Sequence, residues 1–349
     1  MSLFTFLDEE DGTKVPSLTR MVVSDLYLSW PVVQTLTCAA LAAILIVKLY
    51  NFLTCRYYTG IAKMDGKTVI ITGGNGGIGK ETAREIAKRG ARVILACRNL
   101  ETAKKARDEI VQDSNNQNVI VKKLDLSSQK SIREFAEEIT RSEPRLDVLI
   151  HNAGMAANKI QMTEDNIELT MATNHFGPFL LTHLLIDLLK KSAPSRVVVV
   201  ASELYRIVSL NLNNVNPTRS WFVPRLYYVS KYANICFTKE LARRLEGTGV
   251  TANCLHPGIV DTGIWESAPV LFRWLLRLVI KGFFKTPVQG CQTSVYVACA
   301  EELQEVTGKY FAECKEKEVT RGASDENKAK KLWEISERLA NLRPSDPKI

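Results

Sequence analysis

From residue 67 onward, short apolar runs alternate with longer, more polar, helix-like stretches. The runs are KTVIIT (67–72), ARVILAC (91–97), NVIVKKL (118–124), LDVLIH (146–151), SRVVVVAS (195–202) and VTANCLH (250–256). Near-continuous apolar runs of this length are expected of strands covered on both sheet faces. The stretches between them predict helices over 78–89, around 101–112, over 128–140, near 166–190, and through RLYYVSKYANI (225–235). Strand–helix alternation at this spacing implies an α/β fold built on a doubly wound parallel sheet. No internal repeat is visible beyond that alternation.

One segment breaks the pattern. Residues 26–47, LYLSWPVVQTLTCAALAAILIV, carry no charge between Asp25 and Lys48. As a helix they reach roughly 33 Å, about one bilayer hydrocarbon core. Tyr27 and Trp30 stand near one end and Tyr50 just past the other, where interfacial aromatics belong. A transmembrane helix is the expectation. The acidic residues before it, and an apolar run that continues past ALA (40–42), argue against a cleaved signal. Lys48, Arg56 and Lys63 follow the segment, so the positive-inside rule puts the main domain in the cytosol; the endoplasmic reticulum or a lipid droplet is the expected membrane. The expected organisation is a tail (1–25), this helix (26–47), a linker (48–66), a main domain (67–342) and a C-terminal tail (343–349).

The 349-residue chain has 46% apolar and 24% charged residues, as packed globular proteins do. Its net charge of +8 is spread along the chain, without a basic run or a nucleic-acid motif, so nucleic acid is not expected as a partner. A basic balance also suits an anionic cofactor or a membrane surface. Eight scattered cysteines form no CxxC pair, and histidine occurs only four times. Neither a zinc site nor a disulfide framework is expected.

Candidate chemistry begins at ITGGNGGIGKETA (71–83), which leaves the first strand and opens the first helix. Glycines there allow a tight turn and close backbone approach to a pyrophosphate resting on the helix N-terminus. Gly73, Asn75, Gly76, Gly77, Ile78 and Gly79 are the candidate contacts. An acid at the end of the second strand would grip the ribose 2′-hydroxyl of NAD, but here the strand ends ILACRN. Arg98 in that place suits a 2′-phosphate through charge-assisted bonds, so NADP(H) is the expected cofactor. Lys80 is either a second contact to that phosphate or an exposed helix charge.

The spacing TGxxxGxG (Thr72, Gly73, Gly77, Gly79) with Tyr227-xxx-Lys231 resembles the short-chain dehydrogenase/reductase family, whose fold is of Rossmann type. HNAG (151–154), TNHFGPFLLT (173–182), VVVVASE with Ser202, and HPGIVDT (256–262) extend the resemblance over about residues 67–340. LACRN, YYVSKYANICFTKELARRL and FKTPVQGCQTS look most like the membrane-anchored retinol dehydrogenases. The resemblance implies a catalytic set of Asn174, Ser202, Tyr227 and Lys231. Tyr227 would be the general acid/base, its pKa lowered by the Lys231 ammonium. Ser202 would hold the substrate oxygen. Lys231 would also hold the nicotinamide ribose, and Asn174 a water that relays protons. Tyr227 itself would also lie along the cofactor. Asp125 would meet the adenine, Asn152, Ala153 and Gly154 would line the cofactor, and Pro257, Gly258 and Thr262 would contact its nicotinamide side. His151 stands where the family commonly has Asn, and is expected to be structural.

Helical spacing alone puts both Tyr227 and Tyr228 beside Lys231. The resemblance selects Tyr227, leaving Tyr228 and Tyr232 as packing residues. Residues 262–286 are the expected substrate lid. Within them Arg273, Arg277, Lys281 and Lys285 recur every four positions, along one face of an amphipathic helix. A lipophilic alcohol or carbonyl is the expected substrate, with retinol/retinal leading and a steroid or lipid aldehyde as the alternative. A homodimer is left open. An inactive membrane scaffold on the same fold is the competing class, and the intact Ser202, Tyr227 and Lys231 argue against it.

Overall fold

The computed structural model describes residues 30, 32–39, 41–49, 55–219, 222–261 and 284–349. The chain divides into two units, residues 1–50 and 51–349. In the first, Val32–Leu49 is a helix of 18 residues with mean hydropathy 2.1, long and apolar enough to cross a membrane. Its apolar side chains, Leu36, Leu45 and Ile46 among them, are exposed.

The second unit is a doubly wound α/β domain. Eight strands form one sheet in the order β3-β2-β1-β4-β5-β6-β7-β8. They are β1 (Thr68–Thr72), β2 (Arg92–Cys97), β3 (Val119–Lys123), β4 (Val148–His151), β5 (Ser195–Val200), β6 (Val250–His256), β7 (Tyr310–Ala312) and β8 (Lys315–Glu316). Only the β7–β8 pair is antiparallel. The six expected strands are present. β7 and β8 had no counterpart in the sequence reading, because two or three residues are too short to show a period.

Helices α1 (Gly77–Lys88), α2 (Leu100–Ser114), α3 (Gln129–Ser142), α4 (Gly177–Lys191), α5 (Pro224–Arg244), α6 (Gln292–Cys299) and α7 (Glu326–Leu339) cover the sheet. Two apolar layers result. One joins α3, α4, α5 and α7 to the sheet, and the other joins α1, α2 and α6 to its opposite face. Burial on both faces is why β1 is buried at every position. The segment 343–349 packs as well: Arg133 pairs with Asp346 at 2.8 Å, and Arg244 donates to the Ile349 carbonyl at 3.1 Å.

The helix expected near 166–190 is broken. A helical turn, Leu169–Met171, runs into π-helix over Ala172–Phe176 before α4 begins. The Gly177 N–H reaches back five residues to the Ala172 carbonyl. Pro178 has no N–H to donate to the Asn174 carbonyl, four residues earlier, so the α-helical ladder is interrupted there.

Three histidines sit inside this layer: His151, His175 and His183. Burial pulls their pKa values down to about 3, 4 and 4. Each is neutral when folded and takes a proton in the unfolded chain below its ordinary value near 6.5. The unfolded state therefore binds more protons as pH falls, and stability drops on the acid side. Thermal unfolding followed from pH 7 to pH 4.5 should show stability falling by up to about 4 kcal/mol per pH unit. A melting temperature flat over that window would contradict the burial of these rings.

Candidate active site

A cavity of about 1580 Å³ opens at the carboxyl ends of the strands, where the strand order reverses between β1 and β4. Open α/β sheets bind ligands at this switch point. Of the candidate catalytic and cofactor contacts, all but Asn174, Thr262 and Lys80 line it. Asn174 is buried just behind the wall, and Thr262 lies outside the described residues.

The glycine-rich turn forms the floor. Gly73 has φ +66°, and a Cβ there would stand 3.0 Å from Ala153. At Gly79 a Cβ would lie 2.4 Å from both the Asn152 amide and the Gly73 carbonyl, so α1 packs directly on the turn. Gly76 has nothing within 4 Å of such a Cβ. It is the one of these three that faces open space, which is the cradle a pyrophosphate needs. Thr72 ties the turn to β4: its Oγ1 accepts from the Asn152 and Ala153 N–H groups at 3.1 and 3.0 Å. Asn152 returns its side-chain amide to the Thr72 carbonyl at 3.0 Å.

Arg98, after β2, is exposed at the cavity edge and has no ion-pair partner among the described residues. Lys80 behaves differently. It pairs with Glu109 on α2 and does not line the cavity, so of its two readings the surface charge stands. Asp125, after β3, accepts from the Ser127 N–H and hydroxyl at 2.9 and 2.6 Å, which fixes its carboxylate at the rim.

Ser202, Tyr227 and Lys231 converge on the other half. The Ser202 side chain lies near the Tyr227 phenol and acts to lower its pKa, while its Oγ accepts from the Leu204 N–H at 3.3 Å. The Lys231 ammonium lies 5.6 Å from the centre of the Tyr227 ring and donates to the Val200 carbonyl at 2.7 Å. The electrostatics differ from the sequence expectation. Burial pushes the Tyr227 phenol up to about 12, and the nearby Ser202 side chain offsets only part of this. Burial also draws Lys231 down to about 8. The ammonium sits over the ring and is directed at Val200, and desolvation is the largest influence on both groups.

Asn174 occupies the π-helical stretch. Its side-chain amide donates to the Met155 carbonyl and the Ser230 hydroxyl at 2.8 and 3.0 Å, and its oxygen accepts from the Met155 N–H at 2.8 Å. The side chain is thus a rivet between the loop after β4 and α5. A Cβ on Gly154 would sit 3.3 Å from Lys231 Nζ and 3.6 Å from Asn174 Oδ1, so the three groups are close-packed.

The three tyrosines of α5 separate by face. Tyr232 is buried, with its ring 6.0 Å from Tyr205, as expected of a packing residue. Tyr228 is partly exposed on the cavity wall, its ring 6.1 Å from Tyr227. It therefore faces the site rather than packing in the core, because it shares the helical face of Lys231. His151 is structural: its Nε2 donates to Thr182 Oγ1 at 2.8 Å, while that hydroxyl donates to the Pro178 carbonyl.

Of the expected lid, residues 262–283 lie outside the described residues. Lys285 is buried and paired with Glu313, so it does not belong to an exposed basic face. A Cβ at Gly258 (φ +93°) would meet the Lys285 side chain at 2.8 Å, which explains glycine there. Sequence reading passed over Met155, Glu203, Leu204, His256 and Phe284, which also line the cavity. His256 was visible in HPGIVDT, beside residues that were selected. The apolar ones carried no local signal.

A switch-point cavity with a glycine cradle, and with serine, tyrosine and lysine converging on its far half, defines an oxidoreductase of the dehydrogenase type. The chain belongs to the short-chain dehydrogenase family, whose model matches residues 67–269. Within the family it falls with the retinol dehydrogenases. It is 48% identical over 291 residues to mouse (Mus musculus) retinol dehydrogenase 14, covering 80% of this chain and 87% of that protein. Mus musculus retinol dehydrogenase 12 is 44% identical, with 80% and 88% covered. Dehydrogenase/reductase SDR family member 13 of Bos taurus is also 44% identical, with 85% and 79% covered. Among solved structures, an uncharacterised protein from Mycobacterium paratuberculosis superposes with TM-score 0.64 at 31% identity, covering 81% of this chain and 96% of that one. A Shigella flexneri short-chain dehydrogenase complexed with NADP gives TM-score 0.58 at 25% identity, covering 73% and 99%.

Proposed function

We propose that this protein is an NADP(H)-dependent oxidoreductase that interconverts a lipophilic alcohol and its aldehyde or ketone, retinol/retinal being the leading pair. The observation that carries this reading is the convergence of Ser202, Tyr227 and Lys231 on a cavity whose opposite half holds the open Gly76 cradle and Arg98, which is without an ion-pair partner among the described residues. The names of the relatives and the NADP of the Shigella neighbour support it.

The residues fit a nicotinamide dinucleotide. Gly76 and the α1 N-terminus would take the pyrophosphate, Arg98 a 2′-phosphate, and Lys231 a ribose hydroxyl. Bound there, the dinucleotide supplies or accepts the hydride. Tyr227, protonated at neutral pH with its pKa near 12, is ready to give its proton to a carbonyl oxygen as that oxygen gains charge. The Ser202 hydroxyl hydrogen-bonds the same oxygen. Lys231, with a pKa near 8, can pass a proton on toward the phenol at working pH. Pro178 deprives the Asn174 carbonyl of its α-helical donor, which leaves that oxygen suited to hold a relay water. Apolar Met155, Leu204 and Phe284 suit a lipophilic substrate. The helix expected over 26–47 would hold the enzyme on a membrane, with its basic flank and the domain in the cytosol.

The test is a panel of retinoids, steroids, prenyl aldehydes and lipid aldehydes, each assayed with NADPH and NADH on the wild type and Arg98→Ala. NADPH should be preferred, and R98A should weaken NADPH about 10- to 100-fold while leaving NADH unchanged. An NADH preference in the wild type would overturn the role of Arg98. Bound dinucleotide without turnover of any substrate would favour the inactive scaffold.

A further inference from the structure

At the end of β6, His256 lines the cavity and is partly exposed. The main-chain N–H of Glu203, one residue past Ser202, donates to its Nδ1 at 3.3 Å. A ring nitrogen that accepts a hydrogen bond does not carry the proton, so the neutral ring is the Nε2–H tautomer. Burial of most of the ring lowers its pKa to about 4, with Glu203, Lys285 and Lys317 the charged groups acting on it. Nε2 has no hydrogen-bond partner among the described residues, and it is not one of the buried atoms cut off from any partner.

The donor behind this tautomer is itself fixed. The Glu203 carboxylate accepts from the Tyr310 hydroxyl at 2.9 Å and from Arg206 at 2.6 Å, with Lys317 3.5 Å away. These contacts tie down the loop after β5 that presents its N–H to His256. The outcome is a neutral N–H donor of set orientation on the cavity wall.

We propose that His256 Nε2–H is a ligand-binding donor for a neutral oxygen on the nicotinamide-bearing half of the dinucleotide. The inference rests on the dinucleotide reading given above. The strand order divides the crevice at β1/β4, and each half of such a sheet takes one mononucleotide. The glycine turn and Arg98 belong to the β1–β3 half, and His256 belongs to the β4–β6 half. A neutral donor matches an amide or hydroxyl oxygen, whereas the phosphates belong to the α1 N-terminus.

The experiment measures binding to the full-length chain in detergent by fluorescence titration. The ligands are NADPH and adenosine 2′,5′-bisphosphate, a fragment lacking the nicotinamide half. Three proteins are compared: wild type, His256→Phe and His256→Gln. H256F should weaken NADPH about 3- to 10-fold and leave the fragment unchanged. H256Q, whose amide can accept from Glu203 and donate onward, should come within about twofold of wild type. Nitrogen-15 NMR of the histidines should show the Nε2–H form of His256, without titration between pH 6 and 8. NADPH affinity unchanged in H256F would overturn the inference, as would equal weakening of the fragment or a ring that titrates near 6.5. Should H256F not fold, H256Q and the NMR signature decide. Failure of the wild type to bind any dinucleotide would overturn the functional reading and this inference together. Normal binding with an unaffected H256F overturns the inference alone.

Discussion

Tyr227→Phe is expected to lower turnover of a carbonyl substrate by about 10²- to 10⁴-fold while NADPH still binds. The substitution removes one oxygen and leaves a ring of the same shape, so the packing of α5 is kept. That oxygen stands near the Ser202 side chain on the cavity wall. Because burial holds the phenol protonated, its loss removes the proton donor rather than a charge. Tyr228→Phe is the matched control. Tyr228 lines the same cavity, but it is Tyr227 that Ser202 acts on and that has the Lys231 ammonium over its ring. The control should keep most of the wild-type turnover, with any change appearing in KM for a bulky substrate. Steady-state kinetics and dinucleotide titration on the two variants decide the matter. Loss of turnover in Y228F with Y227F active would transfer the role to the neighbour.

The second large effect contrasts two glycines. Gly177→Ala is expected to destabilise the domain by about 2–4 kcal/mol, read as a large drop in melting temperature and in folded yield. A Cβ there would stand 2.2 Å from the Leu126 carbonyl and 2.9 Å from the Ala172 carbonyl, both backbone atoms. Neither can swing aside, so α4 would have to lift from the loop after β3. Gly76→Ala should do the opposite. Its φ of −170° is extended backbone that alanine adopts, and its Cβ would meet nothing in the protein. The fold should keep its melting temperature, while NADPH binding weakens by about 30-fold or more, because the methyl group stands where a phosphate would approach the backbone. A destabilised G76A with normal affinity would mean that the cradle is structural and holds no ligand.

Much of this was legible because parallel strands buried on both faces must be written as unbroken apolar runs, and such runs leave little choice of period. The glycine turn was legible for the same local reason, since the positive φ at Gly73 and the close packing at Gly79 are demands on single residues. Arg98 could be placed at a strand end by counting alone. Where several elements meet, local pattern was silent. Lys80 and Arg98 look alike in sequence, yet Glu109 on the next helix takes one and leaves the other at the cavity edge. Lys285 continues a basic four-residue spacing, yet it turns inward to Glu313. The helix through Asn174 has ordinary composition, and only the reach of Gly177 to Ala172 reveals its π-helical bend.

The sequence by itself determined the α/β class and the place of the glycine-rich turn, since each depends on neighbours in the chain, while the choice of Tyr227 over Tyr228 came from the family resemblance. The tertiary structure alone decided which charges are paired and how burial drives the Tyr227 and Lys231 pKa values in opposite directions. It also decided which nitrogen of His256 carries the proton. Those outcomes depend on distance and desolvation between residues far apart in sequence, and no local periodicity encodes them.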